Sequence, residues 1–296
     1  MSAQRPMPTP SEPGPPEPVA DAARGRDVAL CRSILYQALA LAFRRPAVHI
    51  LDSLGTQDAL EALVEAATVL DEDRAGAAPD RHEGLAGRVR ALAGAAGTLR
   101  LEALTLSHLA LFGHTVRGPV PPYETEYGED TLFQKPQEMS DIAGFLAAFG
   151  LALDASKHER IDHLSCELEF VAFLARKEAH ALECGNIGMQ EETGRATRLF
   201  LEDHLARFVP SFARRVVAAD PDGFYGRVAQ ICLDFVGAEC RRYGVPAGPE
   251  MLRLRMPIDD AAPIACGVPD PCGLPGPCGP SGESGCAPGA GAHGAD

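Results

Sequence analysis

The spacing of the apolar residues constrains this chain more than any other feature. From about Asp21 to Tyr243 they recur every three or four positions, the repeat of a helix with one buried face, and no stretch alternates as a half-buried strand does. The apolar content, 46% of the 296 residues, is mostly Ala and Leu, aromatic residues are 6% and Trp is absent. That composition favours helices over sheets. The expected fold is all-α, a single helical bundle over 21–245, with a disordered Pro-rich tail at 1–20 and a disordered Gly/Pro/Cys-containing tail at 246–296.

Within the bundle a first helix is expected from Asp21 to Phe43, with Leu30, Ile34 and Leu41 on its apolar face and Pro46 as a stop. A second starts near Thr56, a suitable N-cap, and carries Leu60, Leu63 and Val64. Others follow over about 81–95 and 98–112. The segment HTVRGPVPPYETEYGED, with three Pro and two Gly, then breaks regular structure. Helix resumes near Pro136 and runs to Phe149, with Gly150 as C-cap. A long helix follows over 162–182, and others over 187–208, 211–219 and 223–243.

The net charge of −14 and the lack of any Lys/Arg-rich run argue against a nucleic-acid binder. No stretch approaches the roughly 20 apolar residues of a membrane span, and the N-terminus lacks the apolar core of a secretory signal. The expectation is a cytoplasmic protein without stable membrane insertion. Five cysteines (Cys31, Cys166, Cys184, Cys232, Cys240) lie in helical patterns, as small buried hydrophobes do. Cys266, Cys272, Cys278 and Cys286 lie in the tail, with five, five and seven residues between them. Structural zinc ligands pair two to four residues apart, so no metal site is expected. P-loop, Glu-x-x-His, His-Glu-x-x-His and Gly-x-Ser-x-Gly patterns are all missing, which favours a binding protein over an enzyme.

Two segments concentrate polar chemistry. In PVPPYETEYG (119–128), Tyr123 and Tyr127 offer rigid amphipathic rings and Glu124 and Glu126 can accept charge-assisted hydrogen bonds from Arg. The segment reads equally as a connector whose rings pack on the bundle. In ERIDHLSCELEF (159–170), a helical wheel gathers Leu164, Leu168, Val171 and Ala175 on one face, with Ser165, Glu169, Arg176 and His180 opposite. Glu167 falls inside the apolar sector, on the side of His163, with Glu178 near it. A carboxylate there needs a partner, such as His163, a Tyr hydroxyl or an Arg. Asp162 is placed as the N-cap, accessible with His163 at a loop edge.

These two segments, with MSDIAGF (139–145) and AFGL (148–151), resemble the TorD/DmsD/NarJ-type chaperones of molybdoenzymes. The branch that serves type II enzymes of the dimethyl sulfoxide reductase family is the nearest in pattern. The family's signature, Asp-His followed by Glu-Leu, corresponds to Asp162, His163, Glu167 and Leu168; Ile161 stands where the family often has Pro. The resemblance implies a non-catalytic partner of an apo molybdoenzyme catalytic subunit, bound until its molybdenum cofactor is inserted before export or assembly. It implies no cofactor of the chain's own, and a monomer or homodimer. Asp162 and His163 would lie where a twin-arginine signal segment binds, with Glu167, Tyr123, Glu124, Glu126 and Tyr127 in the same client-binding groove. The alternatives are a helical metal- or nucleotide-dependent enzyme using Glu167, His163 and Glu124, or an interaction module with no such client.

Overall fold

A computed structural model describes residues 17–75, 84–96, 99–114, 118–129, 134–154 and 160–255, all within one compact unit, residues 1–256. Helices α1 (Glu17–Phe43), α2 (Val48–Gly55), α3 (Gln57–Ala75), α4 (Leu85–Ala96) and α5 (Leu101–Phe112) form the N-terminal part. After the Pro-rich segment come α6 (Gln134–Ala148), α7 (Leu164–Glu183), α8 (Ile187–Phe200), α9 (Ala206–Ala219) and α10 (Phe224–Tyr243). A π turn, Leu201–Leu205, joins α8 to α9. The described residues contain no strand beyond two isolated bridges, Tyr123 with His163 and Tyr127 with Leu254. The all-α expectation holds.

The central element is α7, buried on nearly every side along its first half. Helix α1 lies along it. Small residues on both helices, Ala29 and Ser33 on α1 and Ala172, Ala175 and Ala179 on α7, let the backbones approach, and the Ser33 hydroxyl donates to the Ala172 carbonyl at 3.0 Å. The buried face of α1 includes Val28, Leu35, Tyr36, Leu39 and Phe43, whereas Leu30 and Ile34, expected on the apolar face, point outward. The wheel was turned because Arg32 belongs inside. Its guanidinium donates to Glu239 (2.7 Å), Glu178 (2.6 Å) and the Tyr243 hydroxyl (2.6 Å), tying α1 to α7 and α10. A charge this deep is accommodated only because each of its N–H faces finds an acceptor.

Thr56 caps α3 as expected, its hydroxyl accepting from Ala59 N–H, but α2 precedes it unforeseen. The helix expected to end at Phe208 instead changes pitch at the π turn and runs straight through Pro210 as α9. Pro210 has no N–H for the Ala206 carbonyl; Gly248 N–H bonds that carbonyl at 2.8 Å. Residues 246–255, assigned from composition to the tail, thus carry defined structure. Leu252 N–H donates to Ser211 Oγ, Arg253 accepts from Gly128 N–H, and Arg255 N–H donates to the Glu126 carbonyl. Composition alone does not register such backbone bonds to a distant element. The rest of both tails, with the four tail cysteines, lies outside the described residues. No helix among those described is long and apolar enough to cross a membrane.

Replacing Arg32 with Ala leaves the buried Glu239 and the half-buried Glu178 without the cation they share. Denaturant titration should show a loss of about 3–5 kcal/mol, and a loss under about 1 kcal/mol would contradict the clamp.

Candidate functional site

The Pro-rich segment folds against the start of α7. Glu124 N–H donates to the Asp162 carbonyl at 2.9 Å and Leu164 N–H to the Pro122 carbonyl at 2.8 Å, so the backbone polar groups of a non-helical stretch are satisfied without water. Asp162, fully buried, does not cap the helix. His163 does: its Nδ1 accepts from Ser165 N–H at 3.1 Å. Asp162 instead accepts from the Thr125 hydroxyl (2.7 Å) and from Nε and one Nη of the Arg160 guanidinium (2.9 and 2.7 Å). Arg160 also reaches Glu126 at 3.4 Å and lies over the Tyr123 ring at 4.7 Å. Lys135 closes on the other oxygen of Glu126 at 2.9 Å.

A second half of the network reaches the π turn. His204 Nδ1 lies 2.9 Å from Glu124 Oε2, and Arg207 lies 3.5 Å from Glu124 Oε1. Arg207 also meets Glu138 at 3.2 Å, and Arg255 grips both oxygens of Glu138 at 3.0 Å each. The Tyr127 hydroxyl donates to the Pro121 carbonyl, and its ring packs against Phe208. Thus α6, α7, the π turn, the Pro-rich segment and the strand-like residues before Met256 meet on one set of carboxylates.

Every residue expected to contact a partner is present in this cluster, but not as expected. Asp162, His163, Glu167, Glu124, Glu126 and Tyr127 are all buried, and Tyr123 is half-buried. The acidic groups are therefore not an open cleft at a loop edge, and the arginines that hold them are the chain's own. Ser165, assigned to a polar outer face, is also buried, because α7 is enclosed on that side by the Pro-rich segment.

Glu167 departs furthest from expectation. It is fully buried as the wheel implied, yet neither of its oxygens has a hydrogen-bond partner. Burial holds its carboxyl well above the ordinary carboxylate range, and the nearby charges of Glu124 and Asp162 push the same way. Both effects favour the protonated carboxyl. Glu124 is also raised by burial, against the opposing hydrogen bond from His204. Burial pulls the His163 imidazole down to about 3, so it stays neutral.

Beside this cluster a groove of about 810 Å³ opens between α6 and the π turn, lined by Asp141, Phe145, Ala148, Asp203, His204 and Arg207 among others. An apolar cavity of about 520 Å³ lies elsewhere, walled by Leu39, Leu60, Leu92 and Ile231. Among the described residues no group of three or more His, Cys, Asp or Glu is arranged to hold a metal ion.

Residues 78–214, which include most of this network, match the family described as nitrate reductase delta subunit. Three similar proteins carry informative names. Chaperone protein TorD of Vibrio cholerae serotype O1 (strain M66-2) is 29% identical over 131 residues, 43% of this chain and 56% of that protein. The selenate reductase assembly chaperone protein of Thauera selenatis is 38% identical over 95 residues, 32% of this chain and 45% of the relative. The perchlorate reductase assembly chaperone protein of Dechloromonas aromatica (strain RCB) is 35% identical over 104 residues, 35% and 46% respectively. Over this stretch the chain is similar to the TorD/NarJ family. These relatives are named as chaperones or assembly proteins, none as a catalyst, and the chain spans about half the length of each.

Read with the TorD/NarJ signature in view, the sequence pointed to Asp162, His163 and Glu167 but not to the residues that complete them. Arg207 and His204 come from a helix some eighty positions beyond Glu124, and Arg255 from a stretch read as tail. Only the unbalanced acidity of 124–126 signalled that distant cations were needed.

Replacing Glu167 with Gln keeps the shape and removes the titration. A carboxyl whose folded pKa is raised contributes fully below its unfolded value, and its contribution is lost as pH rises toward the folded one. Wild-type stability relative to Glu167→Gln should therefore fall as the pH rises above the ordinary carboxylate range. Glu167→Ala should melt lower at every pH, because it leaves a cavity. Parallel pH dependence of the melting temperature for wild type and Gln would contradict a carboxyl whose pKa is raised by burial.

Proposed function

We propose that the protein is a non-catalytic assembly chaperone acting in the cytoplasm, as a monomer or homodimer, on the apo catalytic subunit of a molybdenum-containing oxidoreductase. It holds that subunit, including its N-terminal twin-arginine signal segment, while the cofactor is inserted before export or assembly. The observation that carries this reading is the groove between α6 and the π turn, acidic on both walls and backed by the rigid network of Glu124, Asp162 and Glu138. The names of its family relatives, which concern reductase assembly, support the client class.

In this reading the signature residues act one layer down. Asp162, His163, Glu124, Glu126 and Tyr127 hold the Pro-rich segment against α7, Glu167 fills the space beneath, and Tyr123 stands at the margin. The client meets the outer surface that this arrangement keeps in shape. The apolar cavity offers a place for the apolar stretch of an export segment, as helical grooves take apolar anchors.

Affinity purification from the native cell should recover a molybdoenzyme catalytic subunit lacking its cofactor. Calorimetry with that purified apo subunit should show binding that weakens as salt rises from about 0.05 to about 0.5 M, because acidic residues steer the contact. No binding to the apo subunit, or equal binding to the cofactor-loaded form, would contradict the proposal.

A further inference from the structure

The burial of Arg32 turns an apolar stripe of α1 outward. Leu30 and Ile34 stay 42% and 40% exposed, and Gln37 and Leu41, half-buried, follow on the same side. The four are spaced four, three and four residues apart, the spacing of a seam that packs on a second helix. Helix α1 meets α7 and α3 through its other faces, which carry Val28, Ser33, Tyr36 and Leu39. The stripe from Leu30 to Leu41 is about 17 Å long at the rise of an α-helix.

The two borders of the stripe carry opposite charges. On the α7 side stands Arg176, exposed, its guanidinium donating to the Ser33 hydroxyl at 3.4 Å. On the α3 side stands Glu65, also exposed. Burial first, then the charges of Asp27 and Glu65, hold the Cys31 thiol above its ordinary value, which sets Glu65 beside that edge of α1. Ser33 and Cys31 fall on opposite sides of the stripe on a helical wheel and at nearly the same height. Nearby charges are matched within the chain: Arg44 with Glu169 at 3.3 Å and Asp27 with Arg26 at 2.7 Å. Neither Glu65 nor Arg176 has an ion-pair partner among the described residues.

We infer that this face receives a second copy of the same chain, with the two α1 helices side by side and parallel about a two-fold axis. A face with one free charge of each sign on opposite borders complements itself: the symmetry sets Arg176 of each copy against Glu65 of the other. A partner helix of a single sign would answer only one border. Leu30, Ile34 and Leu41 meet their own copies across the axis, and the Gln37 amides face each other, as a lone polar residue in a seam fixes register. An antiparallel pairing sets Arg176 against Arg176 and Glu65 against Glu65, which like-charge repulsion opposes. The seam is short, so the dimer is a reversible one. Of the two states named above the inference selects the homodimer, and its failure leaves the client reading untouched.

The test is sedimentation velocity of the full-length protein under reducing conditions at about 0.15 M salt, where the repulsion between two acidic chains is screened. Over about 1 to 200 µM the wild type should pass from monomer to dimer. Leu30→Glu/Ile34→Glu should stay monomeric throughout, with the helical content and melting temperature of the wild-type monomer. Glu65→Arg and Arg176→Glu should each weaken the dimer about tenfold or more, because each sets like charges together twice. The combined variant Glu65→Arg/Arg176→Glu should return to within about threefold of wild type, since the exchanged charges again meet their opposites. That recovery separates a parallel pairing from damage to the fold, which a second reversal would not repair. A wild type that is monomeric at every concentration would overturn the inference. So would a dimer that survives Leu30→Glu/Ile34→Glu, or single reversals whose combination recovers nothing.

Discussion

A buried carboxylate demands a cation or several donors, and in this chain that demand decides where distant segments must go. Asp162 sits at zero exposure and is answered by Thr125 and Arg160. Glu124 is answered by His204, and Glu138 by Arg255 and Arg207. Apart from that of Asp162 with Arg160, two residues away, each pairing joins parts of the chain far apart in sequence, so the irregular Pro-rich segment is tied to the helices it touches. Removing either partner of such a pair leaves the other charge stranded, which makes the set cooperative: α6, α7, the π turn and the residues up to Arg255 stand or loosen together.

The π turn is where this set meets the surface. A widened turn inside a helix displaces the side chains that follow it, and such turns recur at functional sites. Here it brings His204 inward to Glu124 and leaves Asp203 outside on the groove wall. Pro210 further along is tolerated because Gly248 supplies the missing hydrogen bond. The C-terminal stretch thus both repairs α9 and delivers Arg255 to Glu138. Glu167, buried and without a hydrogen-bond partner, feels the charges of Glu124, Asp162 and Glu138, which with burial raise its pKa and favour its neutral form.

How much of this was legible from the sequence follows from what sequence patterns encode. Helical periodicity is local, so the helices from α1 to α10 were readable, apart from the short α2 and the break between α8 and α9. The burial of Glu167 was readable too, because a wheel places a residue relative to its own helix. A wheel does not say which faces of a central helix neighbours will cover, and so Ser165, Leu30 and Ile34 were misassigned. The charges of 124–126 and 162 were read as bait for an external arginine. The chain's own Arg160, Arg207 and Arg255 reach them first, through contacts between segments whose spacing carries no pattern. Asp141 and Asp203, ordinary surface aspartates in sequence, line one groove only because the fold brings α6 and the π turn together.

The central claim is that the signature residues form an internal support and the neighbouring groove receives the client. Hydrogen–deuterium exchange, resolved by peptide, on the free protein and on its complex with the apo catalytic subunit tests this most directly. The account predicts that amides of 122–127 and 162–167 are already slow to exchange in the free protein and change little on binding, while α6 from Glu138 to Ala148 and the π turn gain protection. Rapid exchange of 122–127 and 162–167 in the free protein, becoming slow only in the complex with α6 unaffected, would contradict it.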